Sequence, residues 1–106
     1  MEKKHYKLRY LPMFEEDLSE IVNYIAIRLK NPIAAEKLVD AVHDAIQART
    51  TCAEAFAPYP SSRKREYPYY RICVKNYMIF YVVIGDVMEV RRILYSRRNL
   101  REQIWI

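Results

Sequence analysis

The sequence predicts an α+β fold, β-α-α-β-β-β in chain order, with an antiparallel sheet of about four strands and an antiparallel helix hairpin on one sheet face. Three features carry that expectation. Residues 5–11 alternate in character, with Tyr6, Leu8 and Tyr10 on one side and His5, Lys7 and Arg9 on the other, the period of a half-covered strand. Two stretches with apolar residues three and four apart lie on either side of Asn31-Pro32. Three strand-like runs come after them, separated by Lys75-Asn76 and Gly85-Asp86.

The first strand stops at Pro12, and the acidic group Glu15, Glu16 and Asp17 suits the positive end of a helix dipole. Leu18, Ile21, Val22, Ile25 and Leu29 form one apolar stripe, closed by Arg28 and Lys30. Pro32 disfavours helix at the residue before it, and Asn31 can cap the helix that Pro32 opens. The second stripe is Ala35, Leu38, Val39, Val42, Ala45 and Ile46. Helices joined this tightly are expected to lie antiparallel. Residues 50–59 extend the second helix weakly until Pro58 and Pro60, and residues 61–66 read as a basic loop.

Strands are expected at 69–74, at 77–84 and at 87–95, with a short basic tail at 96–106 that has helical character. The run 77–84 is apolar on both faces and is the expected central strand. Gly85, the chain's one glycine, supplies the unusual backbone of a hairpin turn. The helix stripes are expected to bury Leu18, Ile21, Val22, Ile25, Leu38, Val39, Val42 and Ile46 against Ile72, Val74, Ile79 and Tyr81. On the last strand Val90 and Leu94 read as core positions. The other sheet face is expected to stay partly open and to carry Arg71, Lys75 and Arg91, continued by Arg97, Arg98 and Arg101.

At 106 residues, residues 1–106 make a single domain. With 52% hydrophobic and 29% charged residues, one Gly and five Pro, the chain is neither disordered nor fibrous. Its longest apolar run, 77–84, is too short to span a membrane. The basic segment 1–12 has no apolar stretch behind it, so neither a secretory signal nor a membrane partner is expected, and the localisation expected is cytoplasmic. Cys52 and Cys73 make no disulfide framework or zinc pattern. Residues 1–50 hold eight Lys/Arg and eight Asp/Glu, whereas residues 51–106 hold ten and five, so the net charge of +5 belongs to the second half. Such an excess suits a polyanionic or acidic partner, or simply a solvated surface.

One glycine cannot build a phosphate loop, and no metal or cofactor constellation is present in the sequence. His5 and His43 read as exposed structural residues on separate elements. Cys73 lies between Arg71 and Lys75, cations that favour a thiolate, but no histidine is placed as its base, so it reads as a plain strand cysteine. Ten tyrosines are many for this length, and Tyr67, Tyr69, Tyr70, Tyr77, Tyr81 and Tyr95 lie among the basic residues. They fit a base-stacking surface or the plain suitability of tyrosine for half-buried strands.

The segments DLSEIVNYI (17–25), NPIAAEKL (31–38), YRICVKNYMIFYVV (70–83) and VRRILYSRRN (90–99) together resemble the RelE/ParE superfamily of type II toxin–antitoxin toxins. The likeness runs from Tyr6 to about Arg101. It implies a toxin of β-α-α-β-β-β order whose partner is a cognate antitoxin. The RelE-like branch cleaves ribosome-bound mRNA by activating a ribose 2′-hydroxyl against the adjacent phosphate, which requires proton transfer and cations. Laid on this chain, that branch's pattern matches Arg71 and Arg98. Cys73, Met78 and Ile104 stand where it has a second basic residue, an arginine and a terminal tyrosine or histidine. Arg71, Arg98 and Tyr95 are the remaining catalytic candidates.

The ParE-like branch instead poisons DNA gyrase without a nuclease site. The helix pair, the YSRRN strand end and the missing nuclease positions resemble that branch more closely. Gyrase is therefore the target the resemblance favours, with the ribosome and its mRNA as the alternative. The target-binding residues implied are Arg71, Lys75, Arg91, Tyr95, Arg97, Arg98 and Arg101. A third reading, a non-toxic basic nucleic-acid-binding module, comes from charge alone.

Overall fold

A computed structural model describes residues 5–60 and 66–96. The elements are β1 (Lys7–Tyr10), α1 (Pro12–Asn23) continued by a π-helical turn (Tyr24–Arg28), α2 (Pro32–Arg49), β2 (Tyr70–Val74), β3 (Tyr77–Ile84) and β4 (Val87–Tyr95). The basic loop expected at 61–66 and the tail expected at 96–106 fall almost wholly outside the described residues.

The four strands form one sheet in the order β1-β4-β3-β2. β2, β3 and β4 are antiparallel neighbours, but β1 runs parallel to β4, from Lys7 opposite Val87 to Tyr10 opposite Val90. The sheet is therefore mixed rather than purely antiparallel. A parallel neighbour needs a long crossover between its strands, usually helical; here α1, α2, β2 and β3 all lie between β1 and β4.

The local signals around the helices act as expected. Pro12 and Pro32 open α1 and α2, where a missing N–H costs nothing. The Asn31 side chain accepts a hydrogen bond from the Ala34 N–H at 3.1 Å. α1 does not end as a plain helix. The Leu29 N–H reaches the Tyr24 carbonyl and the Asn31 N–H reaches that of Ile25, both at 3.0 Å, while Lys30 takes a left-handed φ of 52°. The wider turn shifts the angular phase of the residues beyond it, so Leu29 leaves the expected stripe and is 56% exposed. Val39, which was expected in the core, is 37% exposed. The buried stripe of α2 is the narrower set Ala35, Leu38, Val42 and Ile46. α2 ends at Arg49, and turns replace the weak helical extension expected at 50–59.

The main core joins Leu38, Val42 and Ile46 of α2 and Phe14 of α1 to Ile72, Val74, Ile79, Tyr81, Met88 and Val90. Leu18, Ile21 and Ile25 pack on it half-buried. The opposite sheet face is less open than expected. Tyr69, Phe80, Val82 and Leu94 form a second cluster there, with Tyr59 and Tyr67 against it. β3 is thus covered on both faces. Leu94 belongs to this second cluster and Val90 to the first, because β4 bulges: Val90 pairs with Tyr81 and Arg92 with Phe80, so Arg91 has no counterpart.

Both hairpin turns expected from the sequence are present, with left-handed φ at Lys75 (54°) and Gly85 (63°). At its far end β4 outruns β1. The Leu11 N–H bonds the Val90 carbonyl, and beyond that point α1 lies beside the open strand edge. There Asp17 accepts two hydrogen bonds from Arg92, Nε at 2.6 Å and Nη2 at 2.9 Å, and a third from the Ile93 N–H at 3.3 Å.

Ile46→Ala, at a side chain 1% exposed, should cost about 2–5 kcal/mol. Ile27→Ala, at one 69% exposed, should stay within about 0.5 kcal/mol. Urea midpoints of the two variants check the assignment. The same measurement separates the ion pairs. Asp17→Ala removes the carboxylate that takes two hydrogen bonds from Arg92, a side chain 11% exposed, and should cost about 3–5 kcal/mol. Asp86→Ala removes a solvent-exposed pair with Lys7 and should cost at most about 1 kcal/mol.

Candidate functional site

The basic residues singled out in the sequence divide into free and engaged cations. Arg71 projects from β2 on the face away from the helices, exposed, with its guanidinium 5.3 Å from the centre of the Tyr59 ring. β2 keeps it there because its neighbours Tyr70 and Ile72 are buried on the helix side, and side chains alternate along a strand. The Arg71 carbonyl accepts a hydrogen bond from Arg49 at 3.1 Å. Lys75 is exposed in the β2–β3 turn. Arg71 and Lys75 are therefore available to a partner at one edge of the sheet.

Arg91 is half-buried and spoken for. Its Nε donates to Glu89 at 2.8 Å, and its ring neighbour is Tyr69, with the hydroxyl at 3.5 Å. Arg9 reaches the other Glu89 oxygen at 3.1 Å. Burial pushes the Glu89 carboxyl up, but the hydrogen bonds and charges of Arg91 and Arg9 prevail and hold it below its usual value. Burial pulls Arg91 down, and its contacts with Tyr69 and Glu89 outweigh that and raise it. The group is a two-arginine clamp on one buried carboxylate, which leaves Arg91 little charge to offer outward. No charge pattern in the sequence separated Arg91 from Arg71; the clue was Glu89, the one acid of β4, two residues before Arg91.

Tyr95 is half-buried beside Tyr77, ring centres 5.7 Å apart. Burial, with smaller contributions from Tyr95 and Tyr24, raises the Tyr77 hydroxyl above its ordinary pKa. Arg97, Arg98 and Arg101 lie outside the described residues. Cys73 is exposed and sits directly opposite Met78 on β3. Thiol and thioether thus adjoin where the RelE-like pattern has two basic residues. His5 and His43 are both exposed, as expected. Among the described residues no group of three or more His, Cys, Asp or Glu is arranged to hold a metal ion.

A second polar hub was not anticipated. Arg49, at the end of α2, donates to the Tyr81 hydroxyl at 3.0 Å, and that hydroxyl donates to the Ala53 carbonyl at 2.6 Å. The same guanidinium lies 3.8 Å from the centre of the Phe56 ring. One arginine therefore ties α2, the β2 edge and the segment after α2 together, a cation–π contact included. Nearby, the hydrogen bond from Tyr6 to Glu54, with burial adding to it, pushes the Tyr6 hydroxyl up to about 12.

A helix pair packed on one face of a four-stranded mixed sheet is the fold of the RelE/ParE-like toxins. Residues 8–100 match the family described as ParE toxin of type II toxin-antitoxin system, parDE. The chain belongs to that family. No curated protein matches it. Among solved structures, the chromosomal ParDE TA system from P. aeruginosa has the same fold, with a TM-score of 0.73 at 18% identity over 89% of this chain and 99% of that one. The RelB-RelE antitoxin-toxin complex from Methanococcus jannaschii aligns with a TM-score of 0.49 at 22% identity over 92% of this chain and 99% of that one.

The Glu89 clamp has a pH signature. A carboxyl whose folded pKa is depressed adds stability that is fully present above its unfolded value, about 4.3, and is lost as pH falls through the folded value. Glu89→Gln should be less stable than wild type at neutral pH, and the gap should shrink below about pH 4.3. Unfolding free energies of both chains from pH 7 to pH 3 check it; a gap that does not change with pH would exclude Glu89 as its source.

Proposed function

We propose that residues 1–106 act as one toxin unit that arrests growth by poisoning DNA gyrase in the cytoplasm, and that a cognate antitoxin silences it. Membership in the ParE toxin family carries this reading, and a similar solved chain comes from a ParDE system. The Cys73–Met78 pair supports gyrase over mRNA. In-line attack by a ribose hydroxyl passes through a doubly charged phosphorane, which cations stabilise, and a thiol facing a thioether supplies none. A protein that grips an acidic surface without breaking phosphodiester bonds needs only placed cations.

Arg71 fits that role: it is exposed, rigidly based by Arg49 and backed by Tyr59. A guanidinium fork can bind two oxygens of a carboxylate or phosphate together. Lys75, Tyr95, Arg97, Arg98 and Arg101 extend the same proposed surface, while Arg91 contributes through the Glu89 clamp. The specific point in favour of the RelE-like alternative is that Arg71, one of the two basic positions retained, is accessible.

Induction without an antitoxin should arrest growth, and Arg71→Ala combined with Arg98→Ala should abolish the arrest. Circular dichroism should show the double variant folded, because exposed charges contribute little to stability. Gyrase-dependent DNA breaks are the expected lesion. Cleaved ribosome-bound mRNA would transfer the protein to the RelE-like activity, and absence of any arrest by the wild type would remove the toxin reading.

A further inference from the structure

A cleft of about 700 Å³ opens between α1 and the far end of the sheet, a size common among small-molecule sites. Three tyrosines line it, Tyr24 from the π turn and Tyr77 and Tyr95 from β3 and β4. The Tyr77 and Tyr95 ring centres are 5.7 Å apart, with the planes inclined at 58°. Tyr95 and Tyr24 both act electrostatically on the Tyr77 hydroxyl, so the three side chains converge. Ile21 and Leu29 add apolar wall on the helical side. Tyr24 and Leu29 are left open to water, at 52% and 56% exposed.

The charges on the wall narrow the choice of ligand. Asp17 and Arg92 both line the cleft, but they neutralise each other. The carboxylate left over is that of Glu20, exposed and four residues before Tyr24, hence on the same helix face. It has no ion-pair partner among the described residues. An anion entering the cleft would meet this carboxylate and, among the described residues of the wall, no uncompensated cation. A wholly apolar ligand would strip water from Glu20 and the tyrosine hydroxyls and replace it with nothing. A positive charge is drawn both by the carboxylate and by the rings, whose faces are the negative part of the aromatic quadrupole.

We infer that this cleft binds an aliphatic amine, a charged nitrogen carried on a methylene stem. The ammonium group lies among Glu20, Tyr24, Tyr77 and Tyr95, and the stem lies along Ile21 and Leu29. On a chain of net charge +5 the attraction is local to the cleft. Two sources share this chemistry, a free polyamine and a lysine side chain of a partner protein. The inference rests on the cleft and not on the toxin reading, so either can fail alone.

Titration of n-butylammonium into the full-length protein, followed by amide NMR, should shift Glu20, Tyr24, Tyr77 and Tyr95 together. Butan-1-ol, the same stem without the charge, should bind severalfold more weakly. Glu20→Gln and Tyr24→Leu, both at exposed positions, should each weaken the amine about two- to fivefold with unchanged circular dichroism spectra. Glu36→Gln, at an exposed acid of α2 outside the cleft, should leave the affinity as it is. Spermidine and Nα-acetyl-lysine methylamide then distinguish the sources: tighter binding of the first assigns the cleft to a free polyamine, of the second to a partner's lysine. Absence of shifts at the cleft would overturn the inference. Equal affinity for butan-1-ol would do the same, as would an affinity that both folded cleft variants retain.

Discussion

The carboxylate of Asp17 joins the helical layer to the sheet at the point where the sheet has no strand to offer. β1 ends opposite Val90, yet β4 continues for five residues with a bare edge. A bare edge exposes backbone donors that must find partners. Asp17 meets one of them, the Ile93 N–H, and at the same time neutralises Arg92. Because both side chains are largely shielded from water, each is costly without the other. This contact sets how α1 lies along β4, and with it the position of the Tyr24 turn.

The sheet is packed on both faces but differently on each. The helix side is a core of aliphatic residues closed by Tyr70 and Tyr81, whose rings stack 5.4 Å apart. The other side is closed by aromatic residues from the irregular segment before β2, with Tyr59 meeting Phe80 edge-on at 5.2 Å. Tyrosine serves both sides because its ring packs while its hydroxyl finds a polar partner. Tyr81 shows the arrangement most fully, bonded to Arg49 and to the Ala53 carbonyl at the centre of the molecule. Burial still raises its pKa, with Arg49 opposing. Much of the tyrosine enrichment is therefore structural.

The elements were legible wherever one local rule dominated. Asn31-Pro32 and Gly85-Asp86 announced their turns, and the stripe of α2 announced its core face. The parallel placement of β1 was not legible, because nothing in a strand's own residues names its neighbour. The β4 bulge left a trace that alternation alone misread: apolar parity runs through Met88 and Val90, then resumes at Ile93 across the Arg91-Arg92 pair. Two adjacent charges inside a strand cannot both follow a period of two. Of the candidate site, Arg71 and Lys75 were placed correctly as exposed cations, whereas the engagement of Arg91 depends on Arg9 and Tyr69, residues remote in sequence. Leu29 was misplaced because a π turn has no sequence signature comparable to a proline.

The pairing of β1 with β4 also sets when the protein can exist. Lys7 lies opposite Val87 and Tyr10 opposite Val90, so the first strand has no seat until β4 has left the ribosome. During synthesis at roughly 5–20 residues per second, the emerging helices and the β2–β3 pair lack both the central partner β4 and the strand beyond it. A chain released early would end without the edge that Asp17 secures. The order of strands thus makes assembly of the sheet wait for β4: a chain that stops before Val87 lacks the strand that joins β1 to β3.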